Sequence, residues 1–303
     1  MIELSRILCP VDFSEFSQRA LDRAFAVARC YKSTVTALHV VPLMPVAIPG
    51  AYYLGSEMAQ PLVLPHTDRA IVMAQVEQFV RAERPPGVPV NISVEESPDV
   101  YREILVQAER LKAGLIVMGT HGRSGFERLF LGSTAEKVLR KAACPVMTVP
   151  RSAPDMMPVG PVPFARILCA VDFSPQSQVA MSFAMSLATE SNAQLSVIHV
   201  IEVFPHFQEL SPPTALDVDA WMNDARRRLR EAIPDAARSQ CSIKEAVKSG
   251  KPYREILSAA TNDNNDLIVI GLHGRGATDR FFFGSTTSHV VREAHCPVLT
   301  LRS

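Results

Sequence analysis

The 303-residue sequence has no excess of charge, with 31 Lys and Arg against 31 Asp and Glu. No global field therefore draws it to nucleic acid or to an anionic membrane surface. It has no uninterrupted apolar run of bilayer length. Its start, Met1-Ile-Glu-Leu-Ser-Arg-Ile-Leu, shows no basic stretch followed by an apolar one. A cytoplasmic location is the expectation, with neither a membrane nor a nucleic acid as partner. Cysteines are few, six in all, and no Cys-x-x-Cys occurs, which argues against a metal or redox cluster and for reduced thiols. Cys9 and Cys169 fall inside apolar runs, where cysteine serves as a small hydrophobe. Also missing is Gly-x-x-x-x-Gly-Lys-[Ser/Thr], so no P-loop lysine is available to drive phosphoryl transfer.

What the sequence does contain is one stretch written twice. Gly119-Thr-His-Gly122-Arg123 runs on to Gly132-Ser133-Thr134, and Gly271-Leu-His-Gly274-Arg275 runs on to Gly284-Ser285-Thr286. Three glycines at these spacings arise by chance in about 0.03% of windows, on the order of 0.1 hits in a chain this long. Two copies in register, each followed by Cys-Pro-Val, exclude coincidence as a useful explanation. Each copy follows a short apolar run (Leu115 to Met118, Leu267 to Ile270) and precedes helical periodicity, so each reads as strand, glycine loop and helix start. Such a junction presents unpaired backbone N–H groups and the positive end of a helix dipole, and its glycines let an anion approach the main chain.

The rest of the chain repeats as well. Arg6-Ile-Leu-Cys-Pro10-Val11-Asp12-Phe-Ser14 returns 160 positions later as Arg166-Ile-Leu-Cys-Ala170-Val171-Asp172-Phe-Ser174. An apolar run ending in Asp-x-Ser predicts a buried strand that meets a helix N-cap. Strands ending in His39-Val40 and His199-Val200 keep the same offset. The copies then diverge: 42–65 is long and rich in proline and apolar residues, and reads as a lid or a packing contact, whereas 202–213 is shorter. Helices over 66–83 and 216–233 follow, the second carrying Arg226-Arg-Arg-Leu-Arg230, read as a solvated face. A third strand, a Tyr-Arg-Glu-Ile-Leu helix, the glycine loop with its helix, and a last strand complete each half. The proline-rich, aperiodic stretch 151–164 reads as the linker between domains 1–150 and 165–303. Two tandem α/β domains follow, each a doubly wound, five-stranded parallel sheet with its ligand crevice beyond the strands' carboxyl ends.

The glycine pattern in both halves, the Val-Asp-Phe-Ser strand end, the His-Val strand end and Cys-Pro-Val before the last strand resemble the universal stress protein family in its tandem form. The resemblance implies a Rossmann-like, adenine nucleotide alpha hydrolase-like fold and the ATP-binding branch of the family. It implies a first site of Pro10, Val11, Asp12 and Val40 for adenine and ribose, with Met118, Gly119, Gly122, Gly132, Ser133 and Thr134 around ribose and phosphates. The second site would be Ala170, Val171, Asp172 and Val200, with Ile270, Gly271, Gly274, Gly284, Ser285 and Thr286. ATP, ADP or AMP is the implied ligand, with any Mg²⁺ held by phosphates and water. It also implies that Val146 to Val149 meets Val298 to Leu301, giving an internal pseudo-dimer able to dimerise again. Pro98 stands where the second half has Gly250, and Pro10 where it has Ala170, so the two affinities need not be equal.

Three roles remain open at this level: a regulatory nucleotide-binding module in stress response, a slow ATPase or nucleotide hydrolase in the same crevices, and an interaction scaffold with vestigial sites. No catalytic residue is assigned. His121 and His273 have no second catalytic group beside them in sequence, and Ser133 and Ser285 lack a hydrolase elbow. His39 and His199 read as satisfied core histidines, while Arg123 and Arg275 suit phosphate charge.

Overall fold

The computed structural model describes residues 4–43, 45–46, 62–63, 68–82, 84–122, 131–151, 153, 164–202, 215–272 and 284–302. The first half runs β1 (Arg6–Pro10), α1 (Glu15–Tyr31), β2 (Thr34–Pro42), a small pair β3 (Pro45–Val46) and β4 (Leu62–Val63), α2 (Arg69–Arg81), β5 (Val90–Ser97), α3 (Val100–Arg110), β6 (Leu115–Gly119), α4 (Ser133–Lys141) and β7 (Val146–Val149). The second runs β8 (Arg166–Ala170), α5 (Pro175–Ser191), β9 (Gln194–Ile201), α6 (Ala215–Ala232), α7 (Asp235–Gln240), β10 (Ile243–Ser249), α8 (Pro252–Asn262), β11 (Leu267–Gly271), α9 (Ser285–Glu293) and β12 (Val298–Leu301). Of the long 42–65 stretch, the antiparallel β3–β4 pair is described; 47–61 lies outside the described residues, as does most of the linker.

Local chemistry sets the helix ends. Ser14 and Ser174 cap α1 and α5 by accepting from the N–H groups of Ser17 and Ser177. Both helices stop at a residue forced into the left-handed region, Lys32 at φ 53° and Asn192 at φ 49°. Between these ends Ala20, Leu21, Ala24 and Phe25 of α1, and Ala180, Met181 and Ala184 of α5, pack onto the sheet as a buried stripe.

Apart from the β3–β4 pair, the described strands form a single ten-stranded sheet in the order β10-β9-β8-β11-β12-β7-β6-β1-β2-β5. Each half is a five-stranded parallel unit, doubly wound as its alternating pattern predicts. The two units are not separate sheets. The expected meeting of last strands fuses them: β12 pairs antiparallel with β7, Leu299 opposite Met147, Val298 opposite Thr148 and Thr300 opposite Val146. Two threonine hydroxyls reinforce the seam, Thr148 Oγ1 donating to the Val298 carbonyl at 3.3 Å and Thr300 Oγ1 to that of Val146 at 3.1 Å. The apolar clusters on the two faces each run through both halves, so the halves share their cores. On one face Arg19 donates to the carbonyls of Arg151 and Ala153, tying the end of β7 to α1.

All six cysteines are unpaired. Burial pushes the Cys169 and Cys296 thiols up to about 12, and that of Cys9 higher still. A folded thiol that holds its proton while the unfolded one releases it makes stability fall as pH rises through and above the ordinary thiol range. Cys169→Ala is therefore expected to flatten the loss of stability between pH 8 and 10 by about 1 kcal/mol, read from urea midpoints, although it lowers stability at neutral pH. An unchanged slope would show that this thiol does not titrate on unfolding.

Candidate functional site

In each half the chain leaves the first strand to build the sheet outward on one side, then returns to lay the fourth strand on the other. The order reverses between β1 and β6, and again between β8 and β11. Helices diverge to opposite faces there, and it is at this point, beyond the strands' carboxyl ends, that doubly wound folds form their ligand crevice.

One wall is the turn after β1. Ser14 donates to Asp12 Oδ1 through its N–H at 3.1 Å and its hydroxyl at 2.5 Å, and the Asp12 N–H donates to Ser17 Oγ at 3.3 Å. The second half repeats this around Asp172, with 3.0, 2.6 and 3.3 Å. Between Asp and Ser, Phe13 and Phe173 take φ values of 63° and 61°, the left-handed region that bulky residues avoid. Nothing in the sequence signals this, because glycine or asparagine is the usual occupant. The aspartate's hydrogen bonds, and the ring's packing against the core, hold the turn.

The second strand supports that wall. Val11 and Val171 donate their N–H to the carbonyls of Leu38 and Ile198 at 2.8 and 2.9 Å. Their own carbonyls lie 2.7 Å from Nδ1 of His39 and His199. Each imidazole also lies against the turn phenylalanine, at 4.6 Å in the first half and 4.4 Å in the second. The His-Val signature thus braces the end of the first strand, the satisfied structural role expected of it. Pro10 and Ala170 close β1 and β8, while Val40 and Val200 stand near the ends of β2 and β9.

The opposite wall is the glycine stretch. Met118 and Ile270 are buried before Gly119 and Gly271, which end their strands against the first turns of α1 and α5. A Cβ on Gly119 would sit 2.7 Å from Phe16 Cβ, and one on Gly271 3.1 Å from the Gln176 carbonyl carbon. At Gly122 an added Cβ would lie 2.6 Å from Asp12 Oδ2, so this glycine admits the main chain right beside the carboxylate. Arg123, Gly274 and Arg275, with His273, lie outside the described residues. His121 Nδ1 lies 3.0 Å from Thr120 Oγ1, and its ring packs 5.3 Å from Phe16.

Gly132 and Gly284 turn the chain into α4 and α9. Their N–H groups donate to the carbonyls of Thr120 and Leu272, at 2.8 and 3.3 Å. Being glycines, they offer no side chain to the helix start, whereas Ser14 and Ser174 cap α1 and α5. Ser133 and Ser285 are exposed at the first helical position, followed by half-buried Thr134 and Thr286. In the second half Thr287 Oγ1 also donates to the Gly271 carbonyl at 2.9 Å, pinning α9 to β11.

Sequence reasoning missed one residue near this site. The arginine run on α6 is largely solvated as expected: Arg227 pairs with Asp224 and Glu231, and Arg226 donates to Asn223. Arg228 instead turns inward, its guanidinium 4.2 Å from the Phe173 ring centre. The matching place in the first half is taken by Phe79, edge-on to Phe13 at 5.5 Å. Helical phase separates Arg228 from its neighbours, but no local pattern shows that a phenylalanine waits there.

Among the described residues no group of three His, Cys, Asp or Glu side chains could hold a metal ion. None of the described helices is long and apolar enough to cross a membrane.

These features define a tandem α/β protein, two doubly wound units on one sheet with a glycine-edged crevice at each reversal of strand order. The universal stress protein family profile matches residues 3–150 and again 163–302. The chain belongs to the universal stress protein family, as a two-domain member. It is 26% identical over 303 residues to a universal stress protein of Mycolicibacterium smegmatis, covering 98% of this chain and 96% of that one. It is 36% identical over 148 residues to a universal stress protein of Methanocaldococcus jannaschii, spanning 48% of this chain and 81% of the relative. A crystal structure of a universal stress protein from Archaeoglobus fulgidus superposes with a TM-score of 0.64 at 24% identity, over 98% of this chain and 96% of that one, and so shares the fold.

Proposed function

We propose that this protein is a cytoplasmic regulatory module that binds an adenine nucleotide in each of its two crevices. The observation that carries the reading is at the first crevice, where the side-chain-free edge of Gly122 faces the Asp12 carboxylate, on the side where the uncapped start of α4 lies. A carboxylate accepts from ribose hydroxyls; a helix start with open N–H groups and a serine hydroxyl suits phosphate oxygens. Pro10, Val11 and Val40 would supply strand-end backbone to the adenine. Met118, Gly119, Gly132, Ser133 and Thr134 would form the ribose and phosphate side, with Arg123 neutralising charge. The second crevice would use Ala170, Val171, Asp172, Val200, Ile270, Gly271, Gly274, Arg275, Gly284, Ser285 and Thr286 in the same roles. Phosphates and water would hold Mg²⁺, since polyphosphate oxygens suit its octahedral demands. Six unpaired cysteines fit a reducing compartment.

Isothermal calorimetry of the full chain with ATP, ADP and AMP tests this. Saturable binding approaching two equivalents per chain is the expected result. A flat titration with all three at millimolar concentration would overturn it, and mass spectrometry of ligand released on denaturing fresh protein would give an independent answer.

A further inference from the structure

The two crevices repeat each other in backbone and differ in the charge beside Val40 and Val200. The Val11 N–H donates to the Leu38 carbonyl at 2.8 Å, just before the chain turns away at Asp12. Main-chain groups two residues apart along a strand point to the same side, so those of Val40 point past the end of β1, toward the reversal of strand order. On its other side β2 pairs with β5, which sets Glu95 opposite Val40. Register partners on neighbouring strands, about 4.8 Å apart, project to one face. Here it is the face covered by α3 and α4, since Leu38 and Val40 belong to its apolar cluster while Ala37 and Val94 belong to the opposite one. Glu95 is half-buried, its Oε1 accepting from the Ser93 hydroxyl at 2.8 Å, and among the described residues it makes no ion pair. The second half sets Lys248 opposite Val200, again on the face of Val200 and Ala246 and away from that of Val247. Lys248 Nζ lies 3.7 Å from Glu255 Oε2. Gly250, at φ 145°, leaves Glu255 its room, because an added Cβ would lie 3.2 Å from Glu255 Oε1. In the first half the matching Glu103 is instead held by Gln107 at 2.8 Å. A carboxylate thus stands beside one strand end and an ammonium beside the other.

Building on the adenine-nucleotide reading above, we infer that the two crevices differ in base selectivity: Glu95 makes the first selective for a 6-amino purine, and Lys248 lets the second accept a 6-oxo purine as well. Adenine carries an amino donor at C6, where hypoxanthine and guanine carry a carbonyl acceptor. A base whose edge meets the Val40 main chain brings its C6 substituent to the strand end that Glu95 flanks. There the carboxylate accepts from an amino group and repels a carbonyl oxygen, so rejection of the 6-oxo base has a repulsive part in addition to the lost hydrogen bond. Lys248 reverses that preference at Val200. Its ammonium is donor only and sits on a flexible stem, so it donates to a 6-oxo group or to a ring nitrogen of adenine and turns away neither.

The test titrates the full chain by calorimetry with ATP and with inosine triphosphate, which differ only at the N1–C6 edge of the base. In the wild-type chain inosine triphosphate is expected to bind one crevice within about threefold of ATP and the other about tenfold more weakly. Gly122→Val, which closes the first crevice, should remove the weaker phase and keep the stronger. Glu95→Gln, whose amide can donate to a 6-oxo group, should bring the first crevice's preference for ATP below about threefold. Lys248→Glu in the Gly122→Val chain should create a preference for ATP at the second crevice. If ATP binds but both crevices take the two nucleotides alike, if both reject inosine triphosphate alike, or if the first-crevice preference survives Glu95→Gln, the inference fails and the nucleotide reading stands. If neither compound binds the wild-type chain, both fall. Should circular dichroism show that Gly122→Val is unfolded, the comparison of wild type with Glu95→Gln carries the same decision, because residue 95 is a half-buried position on an edge strand and flanks the first crevice alone.

Discussion

Gly122→Val is expected to reduce nucleotide stoichiometry from two to one per chain, while the circular dichroism spectrum and thermal midpoint stay close to wild type. The first added carbon would lie 2.6 Å from Asp12 Oδ2, well inside contact distance, and valine adds two more methyls at the same place. Relief requires moving either the carboxylate or the loop, and both belong to the proposed ribose and phosphate contacts. Asp12 cannot swing freely, because Ser14 holds its other oxygen with two hydrogen bonds. An overpacking strain of 1–3 kcal/mol, placed wholly on the bound geometry, weakens the site by roughly ten- to hundredfold. Because Gly122 is half-exposed at the crevice, the fold itself is spared most of the strain. Two equivalents bound with unchanged affinity would mean that the nucleotide does not approach this edge.

Met147→Asp should be the most damaging single change at the seam between the halves. Met147 is 1% exposed, sits on β7 opposite Leu299 of β12, and belongs to the apolar cluster that continues from one half into the other. An aspartate there must be buried charged, or protonated and short of partners, at a cost above about 3 kcal/mol. Met147→Leu, which preserves volume, should cost less than about 1.5 kcal/mol. Since the cores are shared, the wild-type chain is expected to melt in one cooperative transition, and the aspartate variant to lower it as a whole. Calorimetric scanning distinguishes the alternatives: two separate transitions, with only the first half displaced, would show that the halves unfold independently.

Much of this architecture was legible in the sequence because it is stated twice. One apolar run alone is ambiguous between strand and buried helix, but Arg6 to Ser14 returning at Arg166 to Ser174 fixes both strand and cap, and the structure places Ser14 and Ser174 as N-caps. The meeting of β7 and β12 was different: nothing in Val146 to Val149 or in Val298 to Leu301 specifies that partner, and the expectation came from family resemblance. What stayed hidden depends on contacts between distant segments. Phe13 and Phe173 in left-handed geometry, the inward turn of Arg228 and the short helix α7 have no local signature. Each is decided by what the rest of the fold puts beside it, an aspartate's hydrogen bonds in one case and an aromatic face in another. The candidate site divides in the same way. Its glycines and aspartates are visible as a motif, but the 2.6 Å approach that gives Gly122 a reason to be glycine exists only in three dimensions.

Joining the last strands within one polypeptide leaves the molecule two outer borders, β5 and β10. Both are dressed with ionic side chains: Glu95 and Glu96 on one, Lys244, Glu245 and Lys248 on the other. Strands so decorated make poor templates for a foreign strand, because each added neighbour would have to bring those charges out of water. The arrangement therefore disfavours growth of the ribbon beyond its ten strands, and with it edgewise polymerisation.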